Sequence, residues 1–208
     1  MHRRTLLAAA AAVLLTGLMP ARAQAQAPVE LAGVKYPASV QVSGSNLVLN
    51  GAGVRYKFVI KVYTAGLYMT SKATTPEAVL SAPGAKRMHV VMLRDIDGNE
   101  LGKLFTRGMQ DNAPKEEFSK FIPGMLSMAD IFSTRRKLVA GDHFSVDYTP
   151  GSGTQVLVNG KPTGEVIKEP EFSNALMRIW LGPNPADRAL KDALLGVSPI
   201  NNVSRNNQ

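Results

Sequence analysis

Cysteine is missing from the chain altogether. Without it no disulfide can brace the fold, so packing must carry the stability. Thiolate metal sites and cysteine nucleophiles are excluded on the same ground. Histidine is scarce: His2, His89 and His143 are the only three. Neither His89 nor His143 has a neighbour at ligand spacing, so no metal site is expected. Sequence loops that announce cofactors are lacking too. There is no Walker loop, no Gly-x-Ser-x-Gly elbow and no Asp-rich metal loop. Gly51-Ala52-Gly53 lacks the third glycine of a dinucleotide fingerprint, and no helix is expected after it. The sequence therefore implies no cofactor. Basic residues do not cluster among aromatics. The densest group, Arg135-Arg136-Lys137, reads as the cationic end of a helix, and nucleic acid is not expected as a partner.

Long hydrophobic runs are also absent after residue 18. Before it, His2, Arg3 and Arg4 precede an Ala/Leu-rich stretch from Leu6 to Leu18. Small-x-small sites follow at Ala21-Arg22-Ala23 and Ala23-Gln24-Ala25. This is the layout of a bacterial secretory signal peptide, and the apolar stretch falls short of the ~20 residues a membrane span needs. We read residues 1–25 as the signal and 26–197 as one domain. The polar, Asn-rich residues 198–208 are expected to be a disordered tail. The protein is expected in the periplasm, soluble, without a transmembrane helix once the signal is removed. Arg3-Arg4 ahead of Leu6-Leu7 suits either twin-arginine or general secretory export. The formal charge is +8; Arg3, Arg4 and Arg22 lie in the signal, which leaves +5 spread along the mature chain. A mildly basic surface favours anionic ligands or anionic lipid.

What is present is mostly strand, with helices grouped rather than alternating. Val29–Pro37 reads as one short extended segment. Ser39–Leu49 reads as a hairpin about Ser43-Gly44-Ser45, and Asn50-Gly51 as a second turn. Tyr56–Met69 reads as one long strand, with Phe58, Ile60 and Val62 on one face, and Gly66 marking a bulge or a close backbone approach. Thr75-Pro76-Glu77 opens a short helix ending near Ser81. Residues 87–93 form a strand. Leu101, Leu104, Phe105, Gly108, Met109 and Asn112 fall at helical spacing over 98–112. Pro114 begins a helix through Phe121, and Pro123 kinks it or starts the next. Residues 143–148, 154–158 and 163–168 read as three antiparallel strands, followed by helices at 172–181 and 188–195. This grouping predicts an α+β fold: a mostly antiparallel sheet with helices on one face.

One constellation stands out. Arg55 follows a Gly-x-Gly segment at the start of an apolar strand. Lys57 and Lys61 follow at even spacing, so an ideal strand projects all three to one side. The reading by composition is a solvated face; the alternative puts Arg55 in a cleft, clamping a carboxylate or phenolate. Met109, Met125, Met128 and Met177 lie on apolar helix faces. They suit a core, or a pocket for flexible aliphatic chains.

Gly51-Ala52-Gly53-Val54-Arg55-Tyr56-Lys57-Phe58 leads into Lys61-Val62-Tyr63-Thr64-Ala65-Gly66-Leu67-Tyr68. This stretch resembles the N-terminal signature of the chalcone isomerase-like superfamily. Trp180-Leu181-Gly182-Pro183-Asn184-Pro185, with Leu190 to Gly196 after it, resembles the C-terminal helical signature. The resemblance runs from about Val29 to Gly196. It implies an open-faced β-sandwich, with a ligand cleft between sheet and helices. The superfamily includes isomerases, fatty-acid-binding relatives and non-catalytic members. In the enzymes, an arginine matching Arg55 stabilises an anion during ring closure, an electrostatic role. The enzymes' strand threonine falls at Tyr63 and their helix tyrosine near Phe105, while the helix asparagine matches Asn112. The region Leu93-Arg94-Asp95 departs from the pattern. Arg55, Tyr63, Phe105 and Asn112 are the candidate ligand-binding residues, with Arg55 the candidate catalytic one. The resemblance implies a binder of a small amphipathic or aromatic anion, fatty-acid-like and non-catalytic. The alternative is an isomerase, an intramolecular lyase acting on a phenolic or α,β-unsaturated substrate.

Overall fold

The computed structural model describes residues 27–197, apart from Lys115 and Pro170. The expected signal peptide (1–25) and polar tail (198–208) lie outside the described residues, as does Gln26 at the start of the expected domain. The chain order is β1 (Val29–Leu31), β2 (Val34–Tyr36), β3 (Ser39–Val42), β4 (Ser45–Lys57) and β5 (Ile60–Met69). Helix α1 (Pro76–Ser81), β6 (Lys86–Met92), β7 (Ile96–Asp97), α2 (Gly98–Gln110) and α3 (Phe118–Ser133) follow. Then come β8 (Lys137–Leu138), β9 (His143–Thr149), β10 (Gly153–Val158), β11 (Lys161–Ile167), α4 (Phe172–Leu181) and α5 (Arg188–Leu194). Seven strands form one antiparallel sheet in the order β11-β10-β9-β6-β5-β4-β3.

The two faces of this sheet are built differently. Along β5 and β6 the residues Tyr63, Ala65, Leu67, Met88, Val90 and Met92 pack with apolar side chains of α2, α3 and α4 in the larger core. The opposite face is covered by the short β1–β2 hairpin, whose Leu31 and Tyr36 join Leu47, Leu49, Ala52, Val54 and Tyr68 in a second cluster. Gly66 lies under this cover. A Cβ there would stand 2.5 Å from the Tyr36 ring. The close approach expected at Gly66 is therefore real, and its partner is Tyr36.

Helix ends follow their side chains. Thr75, Asp97 and Asp187 each accept a backbone N–H of the first turn, as caps of α1, α2 and α5. Pro123 neither starts nor splits a helix; it sits inside α3, which runs from Phe118 to Ser133. The helix read from Pro114 thus begins later, because residues 116–117 form a turn.

Three strand readings need correction. Val29–Pro37 is two strands, since Ala32 and Gly33 both take positive φ and turn the chain. Asn50-Gly51 is not a turn: β4 continues through it, with a register shift at Asn50. Tyr56–Met69 is not one strand either. Lys57 pairs with Ile60, and Phe58-Val59 close a hairpin with Phe58 at φ +57°. Lys57 and Lys61 therefore lie on different strands near the hairpin tip: Lys57 keeps the face of Arg55 two residues further along β4, whereas Lys61 on β5 pairs with Tyr56, so the three do not project to one side together. The alternation read through Phe58, Ile60 and Val62 ends at the same turn.

Candidate functional site

Asn50 explains how Arg55 reaches the helical side. Leu49 pairs with Tyr68, and Gly51 pairs with Leu67, so Asn50 is an extra residue in β4. A one-residue bulge exchanges the faces of everything after it. Before it Leu47 and Leu49 face the β1–β2 cover; after it Ala52 and Val54 do. Gly51 and Arg55 consequently face the helices. Asn50 is buried and its amide is fully used. Its Nδ2 donates to the carbonyls of Ala73 (2.9 Å) and Leu194 (2.7 Å), and its Oδ1 accepts from Ala73 N (2.7 Å). Helix α5 lies along this part of β4. A Cβ on Gly51 would run into the carbonyl oxygens of Ala193 and Leu194 at the helix end. At its other end, Asp187 accepts from Tyr56 N (2.9 Å) as well as from Leu190 N (3.0 Å). The Gly-x-Gly segment is thus the bed of α5, and Arg55 emerges beside the helix start.

There it lines a cleft of about 210 Å³ between β4–β5, α2, α4 and residues 184–186. Tyr63, Leu101, Leu104, Phe105, Phe144, Ile179 and Trp180 supply the apolar wall; Arg107, Asp111 and Asn184 add polar groups. Arg55 stacks its guanidinium over Tyr63, 5.4 Å from the ring centre, and donates from Nε to the Ala186 carbonyl at 3.4 Å. None of the ion pairs among the described residues uses Arg55. Asp187, which follows the Ala186 whose carbonyl Arg55 meets, is occupied with the two backbone N–H groups just named.

Tyr63 is buried and accepts a hydrogen bond from Trp180 Nε1 at 2.9 Å. Burial pushes its pKa up to about 12, against the opposing pull of Arg55 and the Trp180 bond. Its phenol is therefore neutral at ordinary pH. Phe105 stacks on Phe132 (5.1 Å between centres, 9° between planes) and meets Phe144 and Trp180 edge-on. It is a fixed apolar wall. The structure thus brings Arg55, Tyr63 and Phe105 together.

Asn112 stands apart from the residues that line the cleft. It is buried, its Nδ2 donates to the carbonyls of Gly108 and Asn184 (2.9 Å each), and its Oδ1 accepts from Asn184 N (2.8 Å). These bonds hold the loop that carries Asn184, Pro185 and Ala186 to the cleft, so Asn112 positions the wall without lining it. Trp180 and Ile179 were not singled out as site residues from sequence. The signal available was the chain's one tryptophan beside Gly182-Pro183-Asn184-Pro185. Among the described residues there is no cluster of acids and histidines that would hold a metal.

A seven-stranded antiparallel sheet with a helical layer, opening between them into a cleft that Arg55 lines, is the open-faced chalcone isomerase architecture. The sequence matches the chalcone isomerase-like family model over residues 28–196, and the chain belongs to that family. Comparison with curated proteins gives no match. Among solved structures, it resembles a fatty-acid binding protein of Arabidopsis thaliana. The TM-score is 0.66 at 16% identity, over 81% of this chain and 96% of that one. At that identity the likeness concerns the fold.

Proposed function

We propose that the protein is a non-catalytic carrier for a small amphipathic acid, held with its carboxylate at Arg55 and its tail among Leu104, Phe105, Ile179 and Trp180. One observation carries the reading: a half-buried guanidinium in an apolar cleft, tied to protein by a long carbonyl bond. A guanidinium offers five donors in a planar fork that matches a carboxylate. Tyr63 beneath it is neutral and already bonded to Trp180, and Phe105 has no hydroxyl. The cleft thus offers a cation and apolar wall, with little equipment for proton transfer. A volume of about 210 Å³ is below the ~300–1,000 Å³ usual for ligand pockets. It suits a short or medium chain whose end reaches the cleft mouth. The fold's likeness to a fatty-acid binding protein supports the same reading. The N-terminal segment supports action outside the cytoplasm, in the periplasm.

The test is capture. Purified protein is incubated with a mixture of fatty acids, separated from free ligand and analysed by mass spectrometry. Retention of acids by the wild type and their loss in Arg55→Ala is expected. No capture, or equal capture by the variant, overturns the proposal. The aromatic wall of Tyr63, Phe105 and Trp180 favours a second reading, cyclisation of a phenolic, α,β-unsaturated substrate with Arg55 stabilising the anion. Spectrophotometric turnover that vanishes in Arg55→Ala would establish it in place of the carrier.

A further inference from the structure

The β4–β5 hairpin continues past the cleft and ends in bare hydrophobic side chains. Phe58 is 91% exposed, Val59 88% and Ile60 47%. The other exposed large apolar residues stand singly, apart from Ile122 and Leu126 one turn apart on α3. Here three stand in a row, and exposed Lys57 and Lys61 flank them. Phe58 takes φ +57° at the first position of a two-residue loop, where glycine is the ordinary occupant. Holding an aromatic ring there is unfavourable for the isolated chain, and such outliers point to a role for the side chain.

We propose that this tip inserts into the surface of an anionic phospholipid bilayer. The apolar residues would enter the boundary between headgroups and acyl chains, while Lys57 and Lys61 meet the phosphates. Size decides against a protein partner. A large aromatic side chain buries roughly 150–250 Å², so three tip residues give a few hundred Å². A stable protein interface takes about 800 Å² from each side. Insertion into lipid has no such minimum area and gains from each adjacent cation. The geometry also serves the cleft. Arg55 and Tyr63 are the ladder pair two steps below the tip, before Tyr56 with Lys61 and Lys57 with Ile60. At about 3.3 Å per residue, Arg55 would stand ~10 Å from the inserted loop. The inference stands independently of what the cleft holds.

Phe58→Trp in the full chain makes it visible, because the native Trp180 is buried and the wild type supplies the blank. The probe is vesicles of phosphatidylglycerol and phosphatidylethanolamine carrying bromine-labelled acyl chains, with phosphatidylcholine vesicles as the uncharged control. A blue shift and bromine quenching of the new indole are expected with the anionic vesicles. Both should fade as salt shortens the screening length. Adding Lys57→Gln and Lys61→Gln should weaken binding to the anionic vesicles by roughly thirtyfold. Adding Arg55→Ala should leave it unchanged, which separates this proposal from the carrier reading. An indole that stays water-exposed at saturating lipid overturns the proposal. So does quenching that ignores lipid charge and the lysine substitutions. A blue-shifted indole in lipid-free protein of dimer mass would assign the tip to a second copy instead, and also overturns it. Melting temperatures of the tip variants serve as the control for folding.

Discussion

The sheet presents a half-buried arginine on each face, and the two are held in opposite ways. Arg87, under the β1–β2 cover, is locked to Asp147 by two parallel bonds, Nε to Oδ1 at 2.6 Å and terminal nitrogen to Oδ2 at 2.5 Å. Its neighbours are paired as well: Tyr36 donates to Thr64 (2.7 Å), His89 Nδ1 meets Ser145 Oγ (2.8 Å), and Tyr68 donates to the Pro37 carbonyl (3.1 Å). Arg55, on the helical face, lies over an aromatic ring in an apolar cleft. A fork–fork pair leaves a guanidinium little to offer a ligand, whereas one resting on a ring and a carbonyl keeps donors for an incoming anion. The polar groups around Arg87 form a structural network, and the cleft around Arg55 is the one proposed to bind. Conservative substitutions on the two faces should therefore separate stability from affinity.

The largest effect is expected at the cover. Gly66→Val would drive a side chain into the Tyr36 ring, costing about 3 kcal/mol or more, or preventing folding. Chemical denaturation measures this, and a loss under 1 kcal/mol would show that the cover can lift. Next is Arg87→Met, which leaves the Asp147 carboxylate buried and unpaired; about 2–3 kcal/mol of stability should go.

A smaller effect comes from pH. His89 is pushed down to about 4 by burial first, then by His143 and Arg87. The unfolded chain then binds the proton more readily than the native one between about 4 and 6.5. Stability is accordingly full above pH 6.5 and falls as pH drops toward 4, by about 2 kcal/mol after allowing for partial exposure. His89→Gln should flatten that slope in denaturation at stepped pH. Smallest of all should be the stability change in Arg55→Met, under about 1 kcal/mol, since it breaks no ion pair. A loss as large as that of Arg87→Met would erase the contrast between the faces.

Much of the architecture was legible because it rests on local chemistry. Thr75 caps the helix it was expected to open, and the three strands from His143 to Ile167 fall where they were expected. Two of the three strand errors share one cause. Asn50-Gly51 has the composition of a turn, but the amide finds buried carbonyls at Ala73 and Leu194, far along the chain, and these convert a turn signal into a bulge. Phe58-Val59 has the composition of a strand, yet a turn falls there because β4 and β5 pair around it. Pairing between strands is a long-range fact that residue preferences do not encode. For the site, Arg55, Tyr63 and Phe105 were legible through the family signature. Trp180 and Asn112 took their parts only from tertiary contacts, one bonding Tyr63 and the other fixing the loop at Asn184.

The most direct measurement compares the dissociation constants of octanoate and its methyl ester, by calorimetry, for wild type and Arg55→Met. If Arg55 holds a carboxylate, the wild type should prefer the acid by at least about tenfold, the worth of one charge-assisted pair. The variant should bind both alike. A wild type that does not distinguish acid from ester, or a variant that keeps the preference, would contradict the account.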